Sequence, residues 1–392
     1  MNVDKLFFRS IFKNLFSDTC EIQYWDGETE IYGEGPVRFK IAFHESIPKA
    51  DVVKDPSLVF GEAYMNGKMD IEGSVQEVME SIYNKQDSLI NKSSSYPRIQ
   101  KILPNNLKRS KSNVQHHYDL GNDFYSLWLD DTMTYSCAYF KSPDNTLFQA
   151  QKNKTEYILK KLSLNKGQTL LDIGCGWGDL IITAAKKYKV KAMGITLSAE
   201  QLYKVKERIA EEKLDDLVEV ELADYRELGK RIFDRVVSVG MLEHVGKNHL
   251  TEYFSTVKKL LQDKGVSMVH SITSIKEGDV NNWIEKYIFP GGYIPAFKEI
   301  VEQLAAEDFS LLDVESLRRH YGRTLEHWAR NYENALPEIR KTKDENFIRM
   351  WRLYLNSCAA TFNCGNIDVH QFLFTKGINN FLPWTRENIY KD

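Results

Sequence analysis

Cysteine is scarce in this chain, and what there is forms no pattern. The 392 residues hold five, Cys20, Cys137, Cys175, Cys358 and Cys364, scattered, odd in number and without a C-x-x-C pair. That argues against a disulfide framework and a thiolate zinc site, and for a reducing compartment. Long hydrophobic runs are missing too: nothing approaches the roughly 18 consecutive apolar residues of a membrane-spanning helix. Neither sign of charge is in excess. Lysine and arginine number 52 against 55 acidic residues, a net charge of −3, so nothing pulls the whole molecule toward nucleic acid. Repeats and low-complexity tracts are absent as well. A composition of 42% hydrophobic and 27% charged residues fits an ordinary globular protein, long enough for two domains.

The N-terminus lacks the continuous apolar core and small-residue cleavage site of a targeting signal. Leu6, Phe7, Phe8, Ile11, Phe12, Leu15 and Phe16 are interrupted by Lys5, Arg9 and Lys13. Helical spacing puts the bulky residues on one side and the basic ones on another. Such a helix can lie at a lipid interface or pack on its own domain. Residues 1–90 then alternate apolar and turn signals. Val37, Phe39, Ile41 and Phe43 have the period of two of a half-buried strand. This region reads as a small α+β domain. Between residues 85 and 113, Lys85, Lys92, Arg98, Lys101, Lys108, Arg109 and Lys111 face one acid, Asp87, with Pro97, Pro104 and the run Ser93-Ser-Ser95. We read a basic linker over residues 91–112. It suits acidic phospholipid headgroups, at roughly 1 kcal/mol per basic residue near the surface.

From residue 113 to 392, helix and strand patterns alternate. Strands are expected at Thr169–Ile173, Lys191–Thr196, Val218–Ala223, Phe233–Gly240 and Val266–Ile272, with amphipathic segments between them. That alternation implies a doubly wound parallel sheet with ligands at the carboxyl ends of its strands. The first strand runs into Gly174-Cys-Gly-Trp-Gly178 with Asp172 two residues ahead. Glycines at alternate positions let backbone approach a ligand closely. The spacing departs from the dinucleotide fingerprint and suits a nucleoside without a pyrophosphate, such as S-adenosylmethionine.

The other strand ends carry polar groups. The second ends in Thr196, Leu197 and Ser198, with Gln201 one turn on and Ser198 as the expected helix cap. A ribose-binding acid, usual about 20 residues past the glycines, is missing there. The third ends in Asp224 and Tyr225, suited to an adenine amino group and ring face. Glu243 and His270 lie at the tips of the fourth and fifth. A carboxylate and an imidazole facing one crevice form a catalytic candidate. A helix-capping acid and a buried core histidine are the plainer alternatives.

The chain resembles the cyclopropane-fatty-acyl-phospholipid synthases, mycolic acid cyclopropane synthase-like methyltransferases, over nearly its whole length. The resemblance runs through Phe60-Gly-Glu-Ala-Tyr-Met-Asn-Gly67, His116-His-Tyr-Asp-Leu-Gly-Asn122, Met133-Thr-Tyr-Ser-Cys137, the glycine turn and Ser238-Val-Gly-Met-Leu-Glu-His-Val-Gly246. It continues in Trp283-Ile-Glu-Lys-Tyr-Ile-Phe-Pro290, Tyr321-Gly-Arg-Thr-Leu325 and Ile367-Asp-Val-His-Gln371. It implies a Rossmann-like class I methyltransferase sheet with a helical substrate-channel insertion, plus the smaller N-terminal domain for lipid docking or dimerisation. It also implies S-adenosylmethionine contacts from Tyr135, Ser136, Gly174, Thr196, Gln201, Asp224 and Tyr225. The glycine turn and strand tip add Asp172, Gly176, Gly178, Leu197 and Ser198.

The resemblance further implies a bicarbonate ion held by Cys137, Glu243, His270, Ile272 and Tyr321, with Cys137 and Ile272 acting through backbone. Cys358 matches a cysteine sometimes called catalytic, although the reaction needs no thiol nucleophile. The implied activity is C-methylation of a cis double bond in a phospholipid acyl chain, with bicarbonate as the base for ring closure. The protein would work as a homodimer, peripherally bound at the inner, cytoplasmic face of a membrane. The insertion Trp283–Phe297, with Ile284, Tyr287, Ile288, Phe289 and Tyr293, would wall the acyl channel. N-methylation of a small amine or phospho-base is the alternative, which the extra N-terminal domain disfavours.

Overall fold

In the computed structural model, which describes residues 3–85, 120–278 and 280–390, the helix Val3–Phe12 turns most of its bulky side chains inward and leaves Leu6 exposed. Phe8, Ile11 and Phe12 are buried, and Phe12 packs on Phe43 with ring centroids 5.5 Å apart. Lys5 is bonded to Asp26 at 2.7 Å and to Glu28, and Arg9 to Glu28 at 2.8 Å and to Glu30. Of the two readings of this helix, packing is the one realised. Its cations are answered by protein carboxylates.

The strands that follow are β1 (Cys20–Gln23), β2 (Thr29–Tyr32), β3 (Phe39–Phe43) and β4 (Met69–Glu72), in sheet order β2-β1-β3-β4. Val37, expected in the third strand, lies outside it and is exposed. Pairing begins at Phe39, opposite Cys20.

Two compact units emerge, and the division between them is not a single cut. The first joins Met1–Ile102 to Gly278–Pro290 and Gly322–Asn366; the second holds Leu103–Glu277, Gly291–Tyr321 and Ile367–Asp392. A division into residues 1–90 and 113–392 therefore misses two later segments that fold into the first unit. Helix packing is the reason. Glu345–Asn363 lies along Val75–Asn84, and Asn282–Tyr287 sits on Pro56–Met65. A Cβ at Gly61 would stand 2.4 Å from Trp283 Cδ1, so glycine makes the seat that the indole fills. The linker expected over 91–112 lies outside the described residues.

The same packing changes the reading of the insertion. Trp283 is buried, with its Nε1 donating to Met65 Sδ at 3.0 Å. The Tyr287 hydroxyl donates to Glu62 at 2.7 Å, Ile288 is buried, and Phe289 packs edge-on against Tyr354. Tyr293 belongs to the second unit, where its hydroxyl donates to Glu299 at 2.6 Å. The stretch from Trp283 to Phe297 is thus not one continuous wall. Its halves belong to different units, and its aromatic residues are largely committed to their own cores.

The second unit is built on β5 (Thr169–Ile173), β6 (Lys191–Thr196), β7 (Val218–Leu222), β8 (Phe233–Val239), β9 (Leu261–Ser274), β10 (Phe309–Ser316) and β11 (Ile367–Lys376). Their order is β10-β11-β9-β8-β5-β6-β7. Strands β5 to β9 run parallel, while β11 pairs antiparallel with β9 and β10. The antiparallel edge pair was not anticipated. It brings Gln371 opposite His270 and Val369 opposite Ile272. One hydrophobic core covers each face of the sheet, which is why the central strands read as unbroken apolar runs. The chain winds from β5 out to β7 and returns to β8, so the carboxyl ends of β5 and β8 flank the switch point where such folds bind ligands. No helix among the described residues is long and apolar enough to cross a membrane.

Candidate active site

A cavity opens at that switch point. Tyr135, Ser136, Asp172, Gly174, Gly176, Thr196, Leu197, Gln201, Asp224 and Tyr225 all line it. Two expected cofactor residues do not. A Cβ at Gly178 would stand 2.9 Å from Val205, so this glycine serves close packing of the following helix. Ser198 accepts from the Gln201 N–H at 3.3 Å and caps the helix Ala199–Glu211.

The remaining groups suit a nucleoside with a positively charged tail. Gly176 has a φ of +55°, and a Cβ there would meet nothing within 4 Å, so bare backbone faces open space. Asp172 Oδ1 is buried without a hydrogen-bond partner. Burial pushes this carboxyl up to about 7, against the opposing pull of Lys154. A cation in the cavity would answer both conditions. Asp224 differs from expectation: both its oxygens accept from the Arg226 guanidinium, at 2.8 Å each. That clamp orients the carboxylate while leaving it lone pairs for further donors.

Several lining residues were not singled out from the sequence. Lys154 is buried and donates to Ser136 Oγ at 2.9 Å; burial lowers its pKa. Ala150, Lys154 and Ile158 share one stripe of the helix Leu147–Lys161, and a lysine in an apolar stripe was the available signal. Gln151 Nε2 donates to the carbonyls of Thr134 and Ser136 at 3.3 and 2.9 Å, tying the lining loop to the same helix. Arg208 donates to Trp177 O at 2.6 Å, and Trp177 Nε1 to Asn122 Oδ1 at 2.7 Å. His244 also lines the cavity, with its pKa pushed down to about 4 by burial.

The five residues expected to hold an anion gather at one end of the sheet. Glu243 Oε1 accepts from the Ile272 N–H at 2.6 Å, and the Gly240 N–H donates to His270 O at 2.8 Å. Cys137 Sγ lies 3.8 Å from Leu317 O. The Leu317 N–H reaches Val369 O at 2.8 Å, and the Tyr321 N–H returns to Leu317 O at 3.1 Å. Glu243 Oε2 and His270 Nε2 are both buried without a hydrogen-bond partner. Burial raises Glu243 to about 7 and drives His270 down to about 3, so the imidazole is neutral near pH 7. A small oxyanion fits this donor set. It can accept from His270 and exchange a proton with Glu243, whereas the Ile272 N–H, expected to serve the anion, is taken by the Glu243 carboxylate. Among the described residues no His, Cys, Asp and Glu cluster could hold a metal ion.

Cys358 is in the other unit, on the helix Glu345–Asn363. Burial pushes its thiol up to about 12, so it is protonated at neutral pH and is not a nucleophilic thiolate.

A family model for mycolic acid cyclopropane synthetase matches residues 105–372, and one for a domain of unknown function matches residues 7–94. A probable fatty acid methyltransferase of Pseudomonas putida is 37% identical, over 94% of this chain and 96% of that protein. The cyclopropane-fatty-acyl-phospholipid synthase of Escherichia coli K12 is 38% identical, over 86% of this chain and 87% of that protein. Among solved structures, the mycolic acid cyclopropane synthase CmaA1, complexed with SAH and CTAB, is 36% identical. It superposes with a TM-score of 0.65, covering 68% of this chain and 98% of its own.

Proposed function

Because this chain belongs to the mycolic acid cyclopropane synthetase family, whose methyl donor is S-adenosylmethionine, we propose that it is a cyclopropane-fatty-acyl-phospholipid synthase. It methylates a cis double bond of a phospholipid acyl chain and closes a three-membered ring. One observation carries the site assignment. Two buried polar atoms lack partners: Glu243 Oε2, just past the end of β8, and His270 Nε2, inside β9 rather than at its tip but level with the last residue of β8. Gly240, Met241 and His244 of the loop after β8 line the cofactor cavity.

S-adenosylmethionine, when bound, supplies an activated sulfonium methyl. Asp172 would balance positive charge in the cavity and bare backbone at Gly176 would admit the cofactor, while a Cβ at Gly174 would stand 2.9 Å from Met241 Cγ, so that glycine makes room for a lining side chain. Asp224 and Tyr225 would meet the nucleoside. An isolated alkene is a poor nucleophile, so alignment of methyl and π face must supply several kcal/mol of the roughly 7–11 available from positioning. Methylation leaves a carbocation that water would quench, so the surroundings must be dry. Bicarbonate, when bound, supplies the base for the proton lost on ring closure. His270, neutral at pH 7, offers a hydrogen bond to that anion without a fixed charge. Glu243, its pKa raised by burial to about 7 and its carboxylate fixed by the Ile272 N–H, takes and returns a proton at Oε2.

The basic stretch between residues 85 and 113 supports docking at the anionic inner face of a membrane. Homodimer formation rests on the family resemblance. The deciding experiment incubates labelled S-adenosylmethionine with cis-unsaturated phospholipid vesicles and analyses the products by mass spectrometry. Label in a cyclopropane ring of the acyl chain is expected. Label on a headgroup or free amine would mean N-methylation and overturn the reading.

A further inference from the structure

The Ile367-Asp-Val-His-Gln371 motif has no part in the chemistry above, yet it touches the reacting end of the sheet. Gln371 on β11 stands opposite His270 on β9, and directly opposed strand residues share a face. Gln371 Nε2 lies 3.1 Å from His270 Nδ1. The other end of the amide faces Lys161, whose Nζ donates to Gln371 Oε1 at 2.7 Å and to Glu315 Oε2 at 2.5 Å. The Tyr157 hydroxyl also donates to Glu315 Oε2, at 2.8 Å. His270, Gln371 and Lys161 are each no more than 3% exposed, so bulk water does not compete for these atoms.

Donor and acceptor counting leaves one arrangement. An ammonium group has three donors and no acceptor, so the amide atom facing Lys161 must be the oxygen. The amide NH2 then faces His270, and Nδ1 must present a lone pair to it. Burial keeps the ring neutral, and a neutral imidazole carries a single N–H. That hydrogen is on Nε2, the atom without a protein partner. We propose that Gln371, its amide oriented by the Lys161–Glu315 pair, is a positioning residue that holds His270 as the Nε2–H tautomer. The ring thereby turns a donor toward the site beside Glu243. The role of that donor rests on the anion reading under Proposed function; the tautomer itself does not.

The test uses the full chain with ¹⁵N-labelled histidine. Long-range ¹H–¹⁵N spectra read the tautomer, and His270→Ala assigns the resonances. Wild type is expected to show a neutral His270 with hydrogen on Nε2. In Gln371→Glu both side-chain oxygens are acceptors, so hydrogen should appear on Nδ1. Lys161→Met should release the amide and mix the tautomers, whereas Lys161→Arg, which keeps a donor, should restore the wild-type pattern. In Gln371→Leu, kcat/KM for added bicarbonate should fall about tenfold or more, the usual scale for an orienting partner, with KM for S-adenosylmethionine changing less than about twofold. Hydrogen on Nδ1 in the wild type, which needs no variant to fold, overturns the inference and leaves the anion reading standing. The expected tautomer with turnover indifferent to bicarbonate supports the inference and overturns that reading instead.

Discussion

Asp172 and Glu243 show what burial does to single residues. Each carboxyl is buried, each has one oxygen without a partner, and each titrates near 7 because burial penalises its charged form. Folded, both hold their protons more tightly than unfolded. Each therefore contributes stability that is present below the ordinary carboxylate range and lost as pH rises through about 7. The cofactor-free protein should show a melting temperature that falls between pH 5 and pH 8, as scanning calorimetry can check. If Asp172 faces the sulfonium cofactor as proposed, binding favours its ionised form, so affinity for S-adenosylmethionine should rise with pH below about 7, by up to about tenfold per pH unit. Titration calorimetry across that range should find this slope lost in Asp172→Asn. Catalysis separates from binding at the other carboxyl. Glu243→Gln and His270→Ala should lower single-turnover rates by about 10²–10⁴-fold, while cofactor Kd moves little. Equal losses in rate and affinity would return both residues to a merely structural role.

At the scale of elements, glycine and helix caps decide where segments go. Gly61 sits in Pro56–Met65, where a Cβ would collide with Trp283. Gly61→Ala should cost about 1–3 kcal/mol through overpacking, and Trp283→Ala about 3–5 kcal/mol through the cavity it leaves. The double variant should be less damaging than the sum, since each change relieves the other; strict additivity in denaturant melts would mean that the two residues do not share a seat. The aromatic run from Trp283 onward reads as a substrate wall in one dimension. Its partners, Met65, Glu62 and Tyr354, lie more than sixty residues away along the chain, and no local pattern reveals them. The strand ends were easier. Thr169–Ile173 and Lys191–Thr196 begin and end where their apolar runs do, because both are covered on two faces. The edge pair β10 and β11 stayed hidden, its alternation blurred by Leu311 and Leu312, which point to solvent.

On the proposed function the whole molecule has to meet an insoluble substrate, and charge placement limits how. The cations of the N-terminal helix are paired with Asp26, Glu28 and Glu30. Lys5→Gln should lower thermal stability and leave vesicle binding unchanged. Neutralising Arg98, Lys101, Lys108, Arg109 and Lys111 together should weaken co-sedimentation with anionic vesicles at least about tenfold, given roughly 1 kcal/mol per charge, and added salt should weaken wild-type binding likewise. Wild-type binding that ignores both salt and anionic lipid would remove the basic segment from the docking role.

The sequence by itself determined the nature of the ligand site: alternating glycines after a buried strand, a carboxylate two residues before them, and polar side chains at successive strand tips. These are local signals, because a strand and the turn that follows it are contiguous in the chain. Only the tertiary structure decided which groups became partners. It placed Gln371 against His270 across an antiparallel pair, turned Lys161 and Lys154 inward from one helix, and drew Trp283 into the first unit. Each of these depends on burial and on contacts between distant segments, and burial is what moves a pKa, orients an amide and leaves a polar atom without a partner.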